Sequence, residues 1–399
     1  MPTVLNRILI APSGFKESLD ANQVAAAIVA GVARVLPEAE TVAAPIADGG
    51  EGTAQTLAEA TGGRLVPCRV MGPVGQQVDS SFALLGGAAA GVAVVEMAAA
   101  AGLRLVPRDQ RNPGTTTTYG VGQLIAAAID AGAEQILVGC GDSGTSDGGA
   151  GALQALGAQV LDGSGQPIER GGENLIRAER VDLSGLHPAL AEGRVPVTLA
   201  LNWHNVLCGE RGVARVFGPQ KGATPEQVEQ LSAGFDRWAA LLQRDCLPSA
   251  RGIDFATGPG TGASGGLGAG LAAVGATLMQ RFEALLDSGL AGVDLDALMT
   301  GVDLVITAEG GIDFQTPRGK VPAEVARRAR QRQIPVLAVA GTIGTGADDV
   351  YPIGIDAITS TVCRPMTLAE AVADAEELLA DAVERQLRAV LLGIRMAGG

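Results

Sequence analysis

The sequence has few of the residues on which several large classes of protein depend. Its five cysteines, Cys68, Cys140, Cys208, Cys246 and Cys363, are scattered and odd in number, with no Cys-x-x-Cys pair and no Cys/His cluster. This pattern argues against a disulfide framework and against structural zinc. It favours a reducing, cytoplasmic location.

Positive charge and long apolar runs are also scarce. The 399 residues carry 29 basic and 43 acidic side chains, a net charge of -14, which argues against nucleic acid as a partner. The most apolar stretch, residues 82–106, is interrupted by Glu96, Arg104 and several glycines, so it predicts buried strand and turn rather than a membrane span. The N-terminus has no basic region followed by an apolar segment, and we predict no signal peptide and no membrane partner.

Histidine is rarer still, with two in the chain. His187 precedes Pro188 and is expected to be a solvated loop residue. His204 is the better candidate for a site, and its neighbour Trp203 is expected to pack inside the protein. Two isolated histidines do not favour nucleophilic hydrolysis, which needs a base beside its nucleophile.

Glycine and apolar runs are plentiful, and their order along the chain predicts the fold. Buried strands at residues 7–12 and 41–45 alternate with helices, and the same alternation returns near the C-terminus. Residues 65–289 have a more mixed pattern. We therefore predict a flavodoxin/Rossmann-like α/β parallel-sheet domain built from both chain ends, residues 1–64 plus 290–399. A second, mixed α/β domain, residues 65–289, is inserted into it.

Several helices have N-terminal capping signals in the sequence. Capping boxes at Asp20 and Thr224 begin two of them, and a capping box at Thr367 begins one continuous closing helix. The pattern also predicts helices over residues 112–131 and 271–279.

A glycine-rich stretch, residues 139–151, follows an apolar run and precedes a helical segment. Backbone N–H groups at such a helix start bind anions, phosphate above all. Residues 139–144 also match Gly-x-Gly-x-x-Gly, and Asp162 follows at about the distance of a ribose-binding acid, so dinucleotide binding is one alternative. Against it, Asp142 and Asp147 place carboxylates where a pyrophosphate would lie.

Lysine is confined to three positions among the 29 basic residues, Lys16, Lys221 and Lys320. Each lies in a loop that contains glycine. A compact, strongly hydrated charge in such a loop predicts phosphate binding, with chance survival on the surface as the alternative. The pair Gly319-Lys320 is followed by Val321, so no Walker A loop is present and a P-loop NTPase is not favoured.

Loop carboxylates form a complementary set: Asp48, Glu51, Asp147, Glu309 and Asp313. Magnesium needs one or two carboxylates besides phosphate oxygens, and a phosphoryl acceptor must be oriented or deprotonated. We predict that Asp48 and Asp313 hold the metal and that Asp147 serves as the base, while a loop-capping role is the alternative for each. Glu96, at the end of an apolar run, is expected to be a buried carboxylate.

Six motifs occur in order along nearly the whole chain: Ala11-Pro12-x-x-Phe15-Lys16, Ala47-Asp48-Gly49-Gly50-Glu51-Gly52-Thr53, Arg111-Asn112-Pro113 with Thr116-Thr117-Thr118-Tyr119-Gly120, Asp147-Gly148-Gly149-Ala150-Gly151, Phe217-Gly218-Pro219-Gln220-Lys221-Gly222-Ala223 and Ile312-Asp313-x-Gln315-Thr316. Taken together they resemble the type-1 glycerate kinase family, whose members phosphorylate D-glycerate with ATP to give 2-phosphoglycerate. The resemblance implies the same split architecture, a flavodoxin-like domain from both termini with an inserted domain.

The chain also departs from the family pattern in its glycine-rich loops. The family's carboxylates are replaced by Ser13 and Asn202, and its arginine by Gly311. Asp142 and Gly144 differ as well. A carboxylate substrate would lose a bidentate anchor at the missing arginine.

The resemblance implies a kinase that uses ATP and Mg²⁺ to phosphorylate a small hydroxy-acid, D-glycerate first of all. A kinase of another hydroxy-acid and an inactive ligand-binding homologue are the alternatives. The expected partner is the small-molecule substrate. The protein is expected to be a monomer or a homodimer, and in a homodimer a second copy of this chain is also a partner. The expected site residues are catalytic Lys16, Asp147, Lys221 and Lys320, cofactor-binding Gly49, Gly50, Gly141, Ser143, Gly148 and Gly149, and metal-binding Asp48 and Asp313.

Overall fold

The structure is a computed structural model that describes residues 5–15 and 18–397. Its strands are β1 Arg7–Ile10, β2 Glu40–Ala43, β3 Arg64–Met71, β4 Gln77–Leu84, β5 Val92–Glu96, β6 Gln135–Gly139, β7 Gln159–Leu161, β8 Arg180–Asp182, β9 Val197–Leu201, β10 Thr277–Gln280, β11 Leu304–Ile312, β12 Val336–Ile343 and β13 Ala357–Ser360. Its α-helices are α1 Ala21–Ala33, α2 Thr53–Thr61, α3 Met97–Ala101, α4 Tyr119–Asp130, α5 Ala150–Ala155, α6 Pro188–Ala191, α7 Val213–Phe217, α8 Pro225–Asp245, α9 Ala263–Ala273, α10 Leu295–Leu298, α11 Val321–Gln331, α12 Leu368–Ala373 and α13 Ala375–Ala397.

Two compact units are present. The first combines Met1–Asp48 with Asp294–Gly399, and the second is Gly49–Val293. The domain boundary predicted after residue 64 falls one helix later than the boundary between these units. Helix α2 belongs to the second unit because it packs against β3, β4 and β5.

The first unit is built on a five-stranded sheet in the order β13-β12-β11-β1-β2, with every neighbouring pair parallel. Its central strands are nearly all apolar because helices cover a parallel sheet on both faces. Helices α1 and α13 pack together, and a Cβ at Gly31 would lie 2.6 Å from the Ala380 carbonyl oxygen, so that crossing needs a glycine. Ile8, Ile28 and Leu379 are among the fully buried side chains of this core.

The second unit contains a six-stranded mixed sheet in the order β10-β9-β6-β5-β4-β3 and a small β7-β8 ribbon. Strands β10, β9, β6 and β5 are parallel, whereas β4 pairs antiparallel with both of its neighbours. Leu124, Phe235 and Trp238 lie in its core with no exposed surface. The predicted fold class, parallel-sheet α/β with a mixed α/β second part, is confirmed.

Three predicted helices have different bounds in the structure. Helix α4 begins at Tyr119 rather than at residue 112, because the N–H and hydroxyl of Thr118 bind Asp147 instead of an earlier turn. The helix predicted over residues 271–279 is wrong: α9 covers Ala263–Ala273, inside the glycine run, and β10 follows it. The closing helix breaks at Asp374 into α12 and α13.

Two further features concern helix length and the cysteines. Within residues 5–15 and 18–397, no helix is long and apolar enough to span a membrane. All five cysteines are free thiols.

Candidate functional site

Four charged side chains gather in the first unit, at the carboxyl edge of its sheet. Asp48 follows β2, Glu309 lies on β11 and Asp313 comes directly after β11, while Lys320 precedes α11. Parallel strands bring their carboxyl ends to the same edge, where ligands of open α/β sheets bind. We call Asp48, Glu309, Asp313 and Lys320 the edge cluster.

Lys320 is at the centre of the edge cluster. Its Nζ lies 3.3 Å from Glu309 Oε1 and 3.7 Å from Asp313 Oδ1, and it donates a hydrogen bond to the Gly311 carbonyl oxygen at 3.3 Å. The side chains of Lys320, Glu309 and Asp313 remain 27%, 20% and 33% exposed. A ligand can therefore reach them without the structure opening.

Glu309 is the carboxylate of the edge cluster with free bonding capacity. Its Oε2 is buried and has no hydrogen-bond partner among the described residues. Burial raises the pKa of Glu309 to about 7; the charge of Lys320 opposes this rise, whereas those of Asp48 and Asp313 add to it. An unpaired carboxylate oxygen among like charges favours a proton or a cation there.

Lys221 occupies the opposite kind of environment in the second unit. It is only 3% exposed, and its Nζ donates to Ser143 Oγ at 2.9 Å and to the Thr145 carbonyl oxygen at 2.6 Å. Burial lowers the pKa of Lys221 to about 7, while the charge of Asp147 opposes the shift. Lys221 therefore ties its own loop to residues 143–145.

Asp147 lies near Lys221 and is fully buried. Its carboxylate accepts hydrogen bonds from the Thr118 N–H at 2.7 Å, from Thr118 Oγ1 at 2.9 Å, and from the N–H groups of Gly149 and Gly151 at 3.2 Å each. Burial raises the pKa of Asp147, and these donors oppose the rise. Because both oxygens accept from protein groups, Asp147 joins the starts of α4 and α5. We call Thr118, Ser143, Asp147 and Lys221 the buried cluster.

The predicted cofactor-binding glycines are used for close packing within the second unit. A Cβ at Gly148 would lie 2.6 Å from the Trp238 ring, and one at Gly149 would lie 3.1 Å from Gly270 and Leu267. Near the other end of the stretch, a Cβ at Gly141 would lie 2.6 Å from Gly50 Cα, and one at Gly139 would lie 2.7 Å from the Gly49 carbonyl oxygen. Close packing therefore explains the glycines at these positions without a bound ligand.

Glu96 is confirmed as a buried carboxylate, 7% exposed. It accepts hydrogen bonds from the N–H groups of Ala54 at 2.6 Å and Gly52 at 3.2 Å, at the start of α2. Burial raises the pKa of Glu96 to about 7 despite these two donors. Its role is to cap α2.

The positions that depart from the family pattern make hydrogen bonds or close contacts with other parts of the protein or within their own loop. The hydroxyl of Ser13 donates to the Ala308 carbonyl oxygen at 3.1 Å, and Asn202 Oδ1 accepts from the His204 N–H at 3.0 Å. At Gly311, a Cβ would lie 3.2 Å from Thr342 Oγ1.

Two expectations about single side chains do not hold. His187 is only partly solvated: its Nδ1 accepts from the Ala189 N–H and caps α6, and its side chain is 23% exposed. Trp203 does not pack inside the protein but is 42% exposed. The predicted site residue Lys221 is buried in this structure. These outcomes depend on long-range packing, for which the local sequence carries no signal.

Sequence motifs that are typical of other chemistries lie in buried or hydrogen-bonded segments of this protein. Residues 144–148 and 262–266 match Gly-x-Ser-x-Gly, but Ser146 and Ser264 are 0% and 8% exposed and present no accessible nucleophile. Asp162 Oδ1 accepts from the N–H groups of Ser164 and Gln166 in the turn after β7, so it is used within that turn rather than facing a ribose. Lys16, the remaining predicted site residue, lies outside the described residues.

Comparisons with known proteins identify the family of the chain. A model of the glycerate kinase family matches residues 8–391. The glycerate kinase of Haemophilus influenzae is 42% identical over 383 residues, covering 96% of this chain and 98% of that protein. The glycerate 2-kinase of Escherichia coli is 39% identical over 393 residues, 98% of this chain and 100% of that protein. The crystal structure of putative glycerate kinase 2 from Salmonella typhimurium LT2 matches with a TM-score of 0.83 and 40% identity, over 98% of this chain and 100% of that one.

The fold, the family match and the structural neighbour indicate an α/β phosphotransferase that acts on an alcohol group. The chain belongs to the glycerate kinase family. Membership confirms the family predicted from the motifs and does not favour the dinucleotide-binding alternative.

Proposed function

We propose that the protein transfers the γ-phosphoryl group of ATP to a hydroxyl of D-glycerate, giving 2-phosphoglycerate and ADP. The observation that carries this proposal is the family match over residues 8–391, together with relatives named glycerate kinase and glycerate 2-kinase over nearly their whole length. The names of these relatives do not favour a different hydroxy-acid or an inactive homologue.

The edge cluster is the part of the first unit suited to phosphate chemistry. Lys320 supplies a partly exposed ammonium group, which stabilises charge on a transferring phosphoryl group. Catalysis of this kind depends on positioning and electrostatics rather than on a covalent intermediate. Lys16 keeps its predicted phosphate-binding role as a proposal.

Magnesium fits the edge cluster only as a partner of the nucleotide. Among residues 5–15 and 18–397, no three His, Cys, Asp or Glu side chains are grouped to hold a metal ion by themselves. Mg²⁺ needs only one or two carboxylates when phosphate oxygens complete its shell. Asp48 and Asp313 would hold it there, with the unpaired oxygen of Glu309 beside them. The bound ion would neutralise charge on the β- and γ-phosphates.

For the buried cluster we propose a positioning role. Asp147 and Lys221 fix residues 143–149 through hydrogen bonds to the protein, and both lie out of reach of solvent. The predicted action of Asp147 as base gains no support from this environment, because both carboxylate oxygens already accept hydrogen bonds. We also propose that backbone groups of the predicted cofactor-binding residues contact the nucleotide. These residues are Gly49, Gly50, Gly141, Ser143, Gly148 and Gly149.

One assay tests the proposal. Purified protein with D-glycerate, ATP and Mg²⁺ should release ADP, and NMR of the product should show the phosphate on the 2-hydroxyl. Lys320→Met is the negative control, and excess EDTA should stop turnover. Absence of phosphoglycerate above this control would remove the glycerate assignment, and turnover of another hydroxy-acid in a parallel screen would replace it.

We further propose that the enzyme works in the cytoplasm, as a monomer or a homodimer, with small molecules as its partners. The five free thiols support the location. Sedimentation measurements would decide the oligomeric state.

A further inference from the structure

The loop that follows β9 exposes an aromatic side chain at the surface of the second unit. Trp203 is 42% exposed. The chain's other tryptophan, Trp238, is fully buried, and its indole N–H donates to the Gly148 carbonyl oxygen at 2.9 Å. The two indoles therefore have separate roles, and packing explains only that of Trp238.

The backbone around Trp203 is held in place although its side chain is exposed. Three hydrogen bonds fix it: His204 N–H to Asn202 Oδ1 at 3.0 Å, Gly260 N–H to the Trp203 carbonyl oxygen at 3.1 Å, and Gly262 N–H to the Asn205 carbonyl oxygen at 3.1 Å. The contact is close, since a Cβ at Gly262 would lie 2.1 Å from the Val206 carbonyl oxygen. A fixed backbone lowers the entropy lost when a ligand contacts the side chain.

The position of Trp203 is the one where α/β sheets bind ligands. Strands β6, β9 and β10 are parallel neighbours, and Trp203 comes two residues after the end of β9. The Cys140 N–H donates to the Ala200 carbonyl oxygen at 3.1 Å, which joins the end of β9 to the loop after β6. That loop continues to Ser143, the partner of Lys221. Ligands lie outside the carboxyl ends of such strands.

An indole side chain can stack on an aromatic ring, and only one of the two proposed substrates contains such a ring. Of the two substrates proposed, glycerate has no aromatic ring, whereas ATP carries a purine. Stacking of a base on an aromatic side chain is favourable and tolerates any base. Phe314, another exposed aromatic side chain, already has the guanidinium of Arg318 at 5.5 Å from its ring centre.

We propose that the indole of Trp203 is the stacking surface for the purine of ATP. The inference rests on the proposed kinase function for the identity of the nucleotide. It assigns nucleobase recognition to the second unit.

Fluorescence and calorimetry test the inference together. ADP should change the tryptophan emission of the wild type but not that of Trp203→Phe, which retains only buried Trp238. Trp203→Ala should bind ADP about tenfold more weakly. Its affinity for inorganic tripolyphosphate, which lacks a base, should not change. In turnover, the KM for ATP should rise about tenfold while the KM for glycerate stays constant.

A matched control is Ile176→Ala, which truncates another side chain of the second unit, 49% exposed; it should bind ADP as the wild type does. The inference is overturned if Trp203→Ala retains full ADP affinity, or if it loses ADP and tripolyphosphate equally. Weaker ADP binding by Phe314→Leu with no change in Trp203→Ala would also overturn it.

Failure of this inference and failure of the proposed function have different signatures. ADP binding that depends on Trp203, in a protein that does not phosphorylate glycerate, supports the inference and removes the function. Phosphorylation of glycerate by Trp203→Ala with an unchanged KM for ATP supports the proposed function and removes the inference.

Discussion

The edge cluster and the buried cluster combine the same residue types in opposite surroundings. Each places a lysine from a glycine-containing loop beside carboxylate groups. In the buried cluster, Lys221 is 3% exposed and Asp147 is fully buried, with both carboxylate oxygens bonded to protein donors. In the edge cluster, Lys320 is 27% exposed and Glu309 keeps one oxygen unpaired.

The comparison teaches that burial, rather than residue type, separates a structural lysine–carboxylate group from one that can take a ligand. A buried charge whose bonds are all satisfied stabilises its loops, and removing one partner is costly. A partly exposed charge contributes little to stability but can act on a bound phosphate.

The largest expected effect is on activity in the edge cluster. Lys320→Met should lower kcat/KM by about a thousandfold, because it removes a charge that stabilises the transferring phosphoryl group. The free energy of unfolding should fall by less than about 1 kcal/mol, since the ion pair is partly exposed. An ADP-release assay and urea unfolding measure the two quantities.

Arg327→Met serves as the control for Lys320→Met, because it removes a charge from α11 outside the cluster and should remain active. Near-normal turnover by Lys320→Met, or a large loss of its stability, would contradict the proposed difference between the two clusters.

The next effect is on stability in the buried cluster. Asp147→Asn should lower the free energy of unfolding by about 3 kcal/mol, because an amide directs N–H groups at the donors of Thr118 and Gly151. Urea unfolding checks this, with Asp313→Asn as a matched change in the edge cluster that should cost little. A fully stable but inactive Asp147→Asn would instead support the catalytic role predicted from the sequence.

Lys221 should make stability depend on pH. Its ammonium titrates near pH 7 when folded and near 10.5 when unfolded, so between those values the unfolded chain binds more protons. The free energy of unfolding should therefore rise with pH across this window relative to that of Lys221→Met. Denaturation curves of both proteins at several pH values measure the difference. If the two proteins showed parallel pH profiles, the ammonium would not be buried as described.

The smallest effect concerns Glu309, whose pKa is raised rather than lowered. Its contribution to stability is fully present below its unfolded pKa of 4.5 and is lost as pH rises through about 7. The free energy of unfolding of Glu309→Gln should therefore increase relative to that of the wild type between pH 5 and pH 8. The same denaturation series measures it. Glu324→Gln on α11, paired with Arg328, is the control and should show no such gain.

The sequence predicted elements well where the signal is local. The capping boxes at Asp20 and Thr224 are present with both reciprocal hydrogen bonds, and the helices they start were predicted correctly. Elements were mispredicted where a distant residue competes with the local pattern. Asp147 draws Thr118 away from an earlier helix start. Residues 264–266 are closely packed and have positive φ, so the regular helical turns of α9 lie at residues 267–273 rather than 271–279.

The family, the fold class and the residue types available for phosphate chemistry follow from the sequence, because motifs and apolar periodicity are local properties of the chain. Which of these residues contact solvent depends on the tertiary structure. It buried Lys221 and Trp238 and left Lys320 and Trp203 at the surface. The physical reason is that burial is set by neighbours distant in sequence, and burial determines what a charge or an aromatic ring can bind.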